Sequence, residues 1–302
     1  MKTEQLKRSL MLMLTALIWG VAFVAQSVGV EHVGPFTFNS VRSLIGGLVL
    51  LPCIPLLDKM KKQPQEELRA TLKSQRKDLM IGGVLCGIVL TAASSLQQIG
   101  IQYTTAGKAG FITALYIIIV PLIGIFMKKR PSFLVWIGVA LAAVGMYLLC
   151  ITEGFSIAYG DMMVIISSFC FALHIIVIDY FSPRVDGVRL SMIQFFVCAF
   201  LCAFPMFAVE YPTVSSIMTA WLPILYAGAL SCGVAYTLQI IGQKNMNPTV
   251  ASLILSLESV FSALAGWLIL GQALSGRELT GCSLVFCAIL LAQLPAPGKK
   301  KE

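Results

Sequence analysis

The sequence predicts an all-α integral membrane protein with ten transmembrane helices, arranged as two inverted five-helix repeats. Hydrophobic residues make up 58% of the 302 positions and charged residues only 12%, whereas about 25% of the residues in a soluble globular chain are charged. Nearly unbroken apolar runs of about 20 residues recur along the chain, each long enough to cross a bilayer as a helix. Lys and Arg gather in alternate loops, and the two halves of the chain resemble each other.

The ten apolar segments follow one another with short polar connections. We place them at 10–30, 35–57, 79–99, 109–127, 133–151, 161–180, 191–209, 221–241, 249–270 and 278–294. If the amino terminus is cytoplasmic, the loops on that side hold 19 Lys and Arg residues and the opposite loops hold two. Cytoplasmic loops are enriched in Lys and Arg, and adding or removing one span would destroy this asymmetry. The pattern therefore predicts ten spans with both termini in the cytoplasm.

Composition also excludes several classes of protein. The net charge of +8 is explained by this topology and by attraction to anionic lipid headgroups, and no basic patch with interleaved aromatic residues indicates nucleic acid binding. The polar stretch 58–78 predicts a short surface helix or a loose cytoplasmic loop, too short for a soluble domain. All nine cysteines fall within predicted spans, which favours packing roles over a metal site or a disulfide framework. We expect no cofactor and no metal.

The two halves repeat at an offset of 142 residues. Segment 95–100, with Ser-Leu-Gln and Ile-Gly, corresponds to segment 237–242, with Thr-Leu-Gln and Ile-Gly. This predicts one five-helix repeat in residues 1–151 and a second in residues 152–302. Because each repeat has an odd number of spans, the second must have the opposite orientation in the membrane. Inverted repeats are the usual architecture of secondary transporters, in which a central site opens to each side in turn.

Several short motifs, in this order along the chain, resemble those of a known family. They are Trp19-Gly20 with Phe23, Pro35 with Arg42, segment 101–109, segment 257–261, and Gly271-Gln272. Together they resemble the EamA-type family of the drug/metabolite transporter superfamily. Ser259 and Gln272 stand where that family has Pro and Glu. The resemblance covers essentially the whole chain, and it implies ten helices around a central cavity and transport of amino acids, metabolites or drugs, often outward.

Ionisable residues inside spans are the best candidates for function, because the membrane centre penalises them unless they have partners. Arg42 lies in mid-span on one face with Asn39, where it could hold a substrate carboxylate, close a gate or form a structural ion pair. Glu258 is a candidate partner for Arg42 or for a coupling cation, and a candidate proton carrier. His174 is either part of a proton relay or a packing residue. We assign gating or coupling to Arg42, Glu258 and His174.

Polar stripes predict a central pathway between the third and eighth helices. One consists of Thr91, Ser94, Ser95, Gln98 and Gln102, and the other of Cys232, Tyr236, Gln239 and Gln243. The alternative is hydrogen bonding between helices, worth about 1 kcal/mol for each contact in membranes. Our candidates for the substrate pathway are Trp19, Asn39, Arg42, Ser94, Gln98, Tyr116, Tyr236 and Gln239.

These features predict a secondary transporter, an exporter of small organic solutes, that works by alternating access. The sequence has no phosphate-binding loop for ATP and no constellation of catalytic residues, so it does not predict an enzyme. A translocator of lipid-linked or nucleotide-sugar substrates is the first alternative, and an intramembrane enzyme is a weaker one. The expected partners are the lipid bilayer and a small-molecule substrate. We expect a multi-pass protein of a bacterial plasma membrane, as a monomer or homodimer, while coupling to a proton or ion gradient stays open.

Overall fold

The computed structural model describes residues 2–60, 64–126, 132–150, 158–271 and 275–292. All regular structure in these ranges is helical. The α-helices are α1 (Lys2–Gly29), α2 (Pro35–Met60), α3 (Gln65–Ile101), α4 (Ala106–Thr113), α5 (Tyr116–Phe126), α6 (Phe133–Cys150), α7 (Tyr159–Phe181), α8 (Gly187–Pro205), α9 (Val214–Thr219), α10 (Trp221–Leu225), α11 (Thr237–Gln243), α12 (Pro248–Leu255), α13 (Leu257–Leu270) and α14 (Gly276–Ala292). Two π-helical stretches, π1 (Met206–Glu210) and π2 (Tyr226–Tyr236), continue α8 and α10.

Eight helical stretches are long and apolar enough to cross a bilayer, as a membrane protein requires. They are Glu4–Gly29, Pro35–Met60, Glu66–Ile101, Ala106–Phe126, Tyr159–Phe181, Gly187–Glu210, Trp221–Gln243 and Pro248–Leu270. The expected fifth and tenth spans correspond to α6 and α14, whose apolar stretches are shorter, at Phe133–Gly145 and Leu279–Ala288. The far ends of those two expected spans, the loop 128–130 and Gln272 lie outside the described residues.

Large apolar side chains cover much of the outer surface of the bundle. Phe126 is 89% exposed, Phe200 64% and Phe204 58%. Soluble monomers rarely expose contiguous apolar patches larger than a few hundred Å². A hydrocarbon environment removes this penalty, so the exposed faces agree with the membrane class.

The third helix is longer than the sequence predicts. The expected span begins at residue 79, but α3 begins at Gln65 and continues to Ile101 without a break. Residues of the stretch 58–78 that we expected to form a separate surface helix or a loop are therefore the first turns of α3. The physical reason is that Pro64 precedes a run of good helix formers with no Gly or Pro, and that Glu66 and Glu67 lie near the positive end of the helix dipole.

The eighth expected span, 221–241, is one continuous rod made of α10, π2 and α11. Its π-helical middle has i→i+5 hydrogen bonds, so its side chains do not follow the α-helical spacing from which we predicted its polar stripe. A short helix that the sequence analysis did not anticipate, α9, precedes this rod. Thr213 begins α9, because its Oγ1 accepts a hydrogen bond from Ser216 N at 3.1 Å.

Two helices that shape the centre of the bundle begin with matching caps. Before α4, Thr105 Oγ1 accepts a hydrogen bond from Lys108 N at 3.3 Å. Before α12, Asn247 Oδ1 accepts one from Thr249 N at 2.9 Å, and Pro248 takes the first helical position. Such caps satisfy N–H groups that a helix start leaves free. The helices α4 and α12 begin and end 142 residues apart.

Small residues bring helices into close contact in two places. A Cβ added to Gly100 of α3 would lie 2.4 Å from Val164 Cγ2 of α7. One added to Gly242 of α11 would lie 3.1 Å from Leu12 Cδ2 of α1. Gly242 follows Gly100 by 142 residues, the spacing of the predicted repeat, whereas Val164 follows Leu12 by 152. Under the predicted repeat, the contact of α3 with α7 corresponds to the contact of α11 with α1.

Candidate functional site

A small cavity lies at the centre of the helices, with a volume of about 30 Å³, room for one or two water molecules. Side chains from α1, α2, α3, α4, α5, α7, π2, α11 and α13 line it. They are Trp19, Ala22, Phe23, Gln26, Arg42, Gln97, Thr113, Tyr116, Phe171, His174, Ile175, Ser231, Tyr236, Gln239 and Glu258. The cavity is too small for an organic solute in this conformation, because ligand pockets are typically about 300–1,000 Å³.

One wall of the cavity is formed where two interrupted helices meet. The chain breaks its helix between α4 and α5, and again at Ser256 between α12 and α13. Near the second break, Ser256 Oγ donates to Leu253 O and Ser259 Oγ donates to Ser256 O, each at 2.7 Å. Serine hydroxyls that bond to carbonyls of the preceding turn bend helices. The breaks place Tyr116 and Glu258 at the first turns of α5 and α13.

Tyr116 and Glu258 hold the two breaks together. The Tyr116 hydroxyl donates a hydrogen bond to Glu258 Oε1 at 2.9 Å, between residues 142 positions apart in the sequence. Glu258 is 3% exposed and Tyr116 is 2% exposed. Tyr116 and Glu258 are therefore equivalent positions under the predicted repeat, and their side chains meet at the centre.

Arg42 faces the same cavity from α2. Its Nη1 donates to Gln26 Oε1 at 3.1 Å, and its guanidinium lies 5.5 Å from the centre of the Phe38 ring. Its Nε has no hydrogen-bond partner, although the residue is only 5% exposed. No ion pair joins Arg42 to Glu258 among the described residues. One basic and one acidic side chain therefore line the same cavity, each hydrogen-bonded to a neutral partner.

Aromatic side chains form another wall. The Trp19 and Tyr236 rings lie 4.6 Å apart, and His174 meets Tyr236 edge-on at 5.9 Å. His174 Nε2 also lies 3.1 Å from Gln194 Oε1. The indole Nε1 of Trp19 is buried without a partner, so it remains able to donate a hydrogen bond. This wall can contact an apolar group or a cation.

Gln97 and Gln239, which lie 142 residues apart and correspond in the predicted repeat, differ in the hydrogen bonds of their amides. Gln97 Nε2 donates to Thr113 Oγ1 at 2.9 Å. Gln239 also lines the cavity, but its Oε1 has no hydrogen-bond partner. The residue that corresponds to Thr113 is Leu255, which offers no polar group. The free amide oxygen of Gln239 is thus available to a ligand.

Three predicted pathway residues do not line the cavity. Ser94 Oγ contacts Cys198 Sγ of α8 at 3.9 Å, and Gln98 Nε2 donates to Gln26 O at 3.3 Å. Asn39 is fully buried with both amide atoms unpartnered. The stripe on α3 faces α8 and α1, so its polar groups lie between helices.

The other predicted site residues do line the cavity: Trp19, Arg42, Tyr116, His174, Tyr236, Gln239 and Glu258. Sequence reasoning did not assign Gln26, Thr113 or Ser231 to it. A signal for Gln26 was present, because an amide inside an apolar span needs a polar partner. Among the described residues, no group of three or more His, Cys, Asp or Glu side chains could hold a metal ion.

Known proteins resemble this chain over nearly its whole length. The model of the EamA-like transporter family matches residues 6–151 and 158–294. An uncharacterized transporter of Archaeoglobus fulgidus is 31% identical over 298 residues, covering 96% of this chain and 87% of that protein. The uncharacterized transporter YoaV of Bacillus subtilis is 21% identical, covering 91% and 92%. A crystal structure of a protein that is 19% identical has the same fold, with a TM-score of 0.75 over 96% of this chain and 97% of that one.

The family match extends over both halves of the chain, and the apolar helices agree with it. The protein is a multi-pass membrane transporter and not an enzyme, so it contacts the lipid bilayer and a small-molecule substrate. The resemblance found in the sequence motifs is confirmed, and the chain belongs to the EamA-like transporter family.

Proposed function

We propose that the protein is a secondary transporter that exports small organic solutes by alternating access through the central cavity. One observation carries this proposal. Arg42 and Glu258 face one central cavity, and each has only neutral hydrogen-bond partners. Ionisable groups are expensive in a membrane unless they are paired or functional, so this arrangement favours a site that receives charged groups of a solute.

The proposed architecture is ten spans in two inverted repeats, residues 1–151 and 152–302, with both termini in the cytoplasm. Support comes from the loop charges, from α4 and α12 at a spacing of 142 residues, and from the paired contacts of Gly100 and Gly242. The family model also matches two consecutive stretches. The boundary at 151 and 152 lies between those stretches and outside the described residues.

The chemistry of the lining favours a zwitterionic solute. The Arg42 guanidinium can donate charge-assisted hydrogen bonds to a solute carboxylate. These are the strongest contacts that it can form. A solute ammonium can pair with the carboxyl group of Glu258 or lie over the face of the Trp19 ring. Among the cavity-lining residues, Arg42 is the only Lys or Arg, and the Lys108 ammonium already pairs with Asp161 at 2.7 Å. A polyanion such as a nucleotide sugar therefore fits less well.

The setting that we propose is a bacterial plasma membrane, with the protein as a monomer or homodimer. Arg42, Glu258 and His174 are the proposed gating or coupling residues. A carboxylate in the transport cavity can exchange a proton or a cation with each side in turn, so Glu258 is the residue through which an ion gradient would act.

Binding can be tested with three compounds that share one side chain. Leucine carries both charges, 3-methylbutylamine lacks the carboxylate, and 4-methylpentanoate lacks the ammonium. We expect leucine to raise the thermal stability of the purified protein more than either analogue does, because a ligand that binds the folded state stabilises it by RT ln(1 + [L]/Kd). Arg42→Ala should remove the preference for leucine over the amine, and Glu258→Gln should remove the preference over the carboxylate.

The matched control is Glu31→Gln, since Glu31 is an exposed carboxylate outside the cavity. Export is then measured from cells challenged with amino acids and toxic analogues, with and without a proton uncoupler. Equal stabilisation by all three compounds, or protection of cells that survives both cavity substitutions, would contradict the proposed site. Sensitivity to the uncoupler would assign proton coupling.

A further inference from the structure

The helices α2 and α8 are antiparallel neighbours that are joined at both of their ends. At one end, the carboxylate of Glu210, the last residue of π1, meets the first turn of α2. Its Oε1 accepts a hydrogen bond from Phe36 N at 2.8 Å, and its Oε2 accepts bonds from Thr37 N at 2.7 Å and Thr37 Oγ1 at 2.6 Å. A helix start leaves N–H groups free and favours a negative charge. This contact, the Glu210 latch, satisfies both preferences.

At the other end, Asp58 near the end of α2 meets Arg189 in the first turn of α8. Arg189 Nη1 donates to Asp58 Oδ1 at 3.2 Å, and Nη2 donates to Oδ2. Arg189 also lies 3.5 Å from Asp186, which caps α8 by accepting a hydrogen bond from the backbone N–H of Arg189. Bidentate pairing of this kind is the strongest arrangement of an arginine with a carboxylate. We call this contact the Asp58 latch.

The two latches occupy equivalent positions on α2 and α8, which begin 152 residues apart, a longer spacing than the 142 residues that relate α4 to α12. Glu210 follows Asp58 by 152 residues, and Arg189 follows Thr37 by 152. In both cases a carboxylate at the end of one helix holds the first turn of its neighbour. Gly34 corresponds to Asp186, and a Cβ at Gly34 would lie 2.2 Å from Glu210 Cδ, so the glycine leaves space for the carboxylate to reach the backbone. The chemistry differs between the ends while the position is conserved by the repeat.

We propose that these latches are the two gates of transport: the Glu210 latch closes the outer side and the Asp58 latch closes the inner side. This inference rests on the proposed alternating access, in which corresponding contacts of inverted repeats lie on opposite faces and open in turn. Both latches are formed in this structure. Arg42 lies on α2 between them, and Gln194, the partner of His174, lies on α8. Opening of either latch therefore moves Arg42, which lines the cavity, or Gln194, which holds the cavity-lining His174 in place.

The experiment measures access to the cavity from each side. Ser231 lines the cavity and is 3% exposed, so Ser231→Cys introduces a thiol that a membrane-impermeant methanethiosulfonate reaches only through an open gate. The rate of labelling is compared with that of the parent chain, which carries the native cysteines alone. Right-side-out spheroplasts report the outer gate, and inverted vesicles report the inner gate.

Glu210→Gln places an amide N–H against a backbone N–H and should weaken the outer latch. We expect it to raise the rate of labelling from outside about tenfold, the effect of about 1.4 kcal/mol, with no change from inside. Asp58→Asn should raise the rate of labelling from inside by a similar factor and leave the rate from outside unchanged. Arg189 then still pairs with Asp186. Glu31→Gln, the same chemical change in an exposed loop carboxylate, should change neither rate.

Faster labelling from both sides, from the wrong side, or from neither side would overturn the assignment of the gates. A separate readout keeps this failure distinct from failure of the proposed function. Leucine should slow labelling of the introduced thiol if the cavity is the solute site. Protection by leucine without any effect of the latch variants would leave the transport site standing and reduce the latches to structural contacts. Normal thermal stability of the variants verifies that they fold.

Discussion

The hydrogen bond between Tyr116 and Glu258 joins the two halves at the centre of the molecule, and Tyr116→Phe removes it without changing the shape of the ring. Removing one partner of a buried hydrogen bond leaves the other polar group unsatisfied, at a cost of about 1–3 kcal/mol. Glu258 is 3% exposed and Tyr116 is its hydrogen-bond partner within the described residues. We therefore expect Tyr116→Phe to lower the free energy of unfolding by about 2 kcal/mol, a fall of several degrees in Tm.

The assay is thermal unfolding of the purified protein in one detergent at one scan rate. Tyr236→Phe is the matched control, because Tyr236 also lines the cavity but makes no hydrogen bond through its hydroxyl with a described residue; it should change stability by less than about 0.5 kcal/mol. Combining Tyr116→Phe with Glu258→Met completes a double-mutant cycle. The reasoning is refuted if Tyr116→Phe is as mild as the control, or if the two substitutions are additive.

Other predictions concern packing, capping and the two glutamines. Gly20→Ala should destabilise the protein by about 1–3 kcal/mol, since its Cβ would lie 2.4 Å from a neighbouring side chain, whereas Gly107→Ala meets nothing within 4 Å and should be neutral or slightly stabilising in the same thermal assay. Asn247→Ala removes the cap of α12 and should cost about 1 kcal/mol; an unchanged Tm would contradict that role. Gln97→Leu should lower stability because its amide is hydrogen-bonded. Gln239→Leu should leave stability nearly unchanged but weaken stabilisation by leucine, and equal behaviour of the two variants would count against a ligand role for Gln239.

Much of the fold could be predicted because the bilayer constrains sequence strongly. Apolar length predicts spans, and the expected starts at residues 35 and 133 agree with α2 and α6. The polar extension at the start of α3 could not be predicted from hydropathy, because a polar helix and a polar loop have similar composition. The π-helical segment π2 was also missed, since it depends on packing rather than on a residue pattern.

The candidate site was partly predictable for the same reason. Arg42 and Glu258 stand out because charge is rare inside spans, and both line the cavity. Their relation was not predictable: the sequence suggested them as partners of each other, while the structure pairs them with Gln26 and Tyr116. We expected the polar stripe on α3 to line the pathway, but its side chains contact α8 and α1. Periodicity identifies a polar face but does not say whether that face meets a cavity or another helix.

Counterflow in proteoliposomes tests the central claim most directly, because a carrier with alternating access couples the exit of one solute molecule to the entry of another, whereas a channel only lets the label equilibrate. Vesicles loaded with unlabelled leucine are diluted into a trace of labelled leucine. We predict a transient accumulation of label above equilibrium with the wild-type protein and with Glu31→Gln, and none with Arg42→Ala or Glu258→Gln. Flux of label that equilibrates without any overshoot, or an overshoot that persists in Arg42→Ala, would contradict transport through the cavity between Arg42 and Glu258.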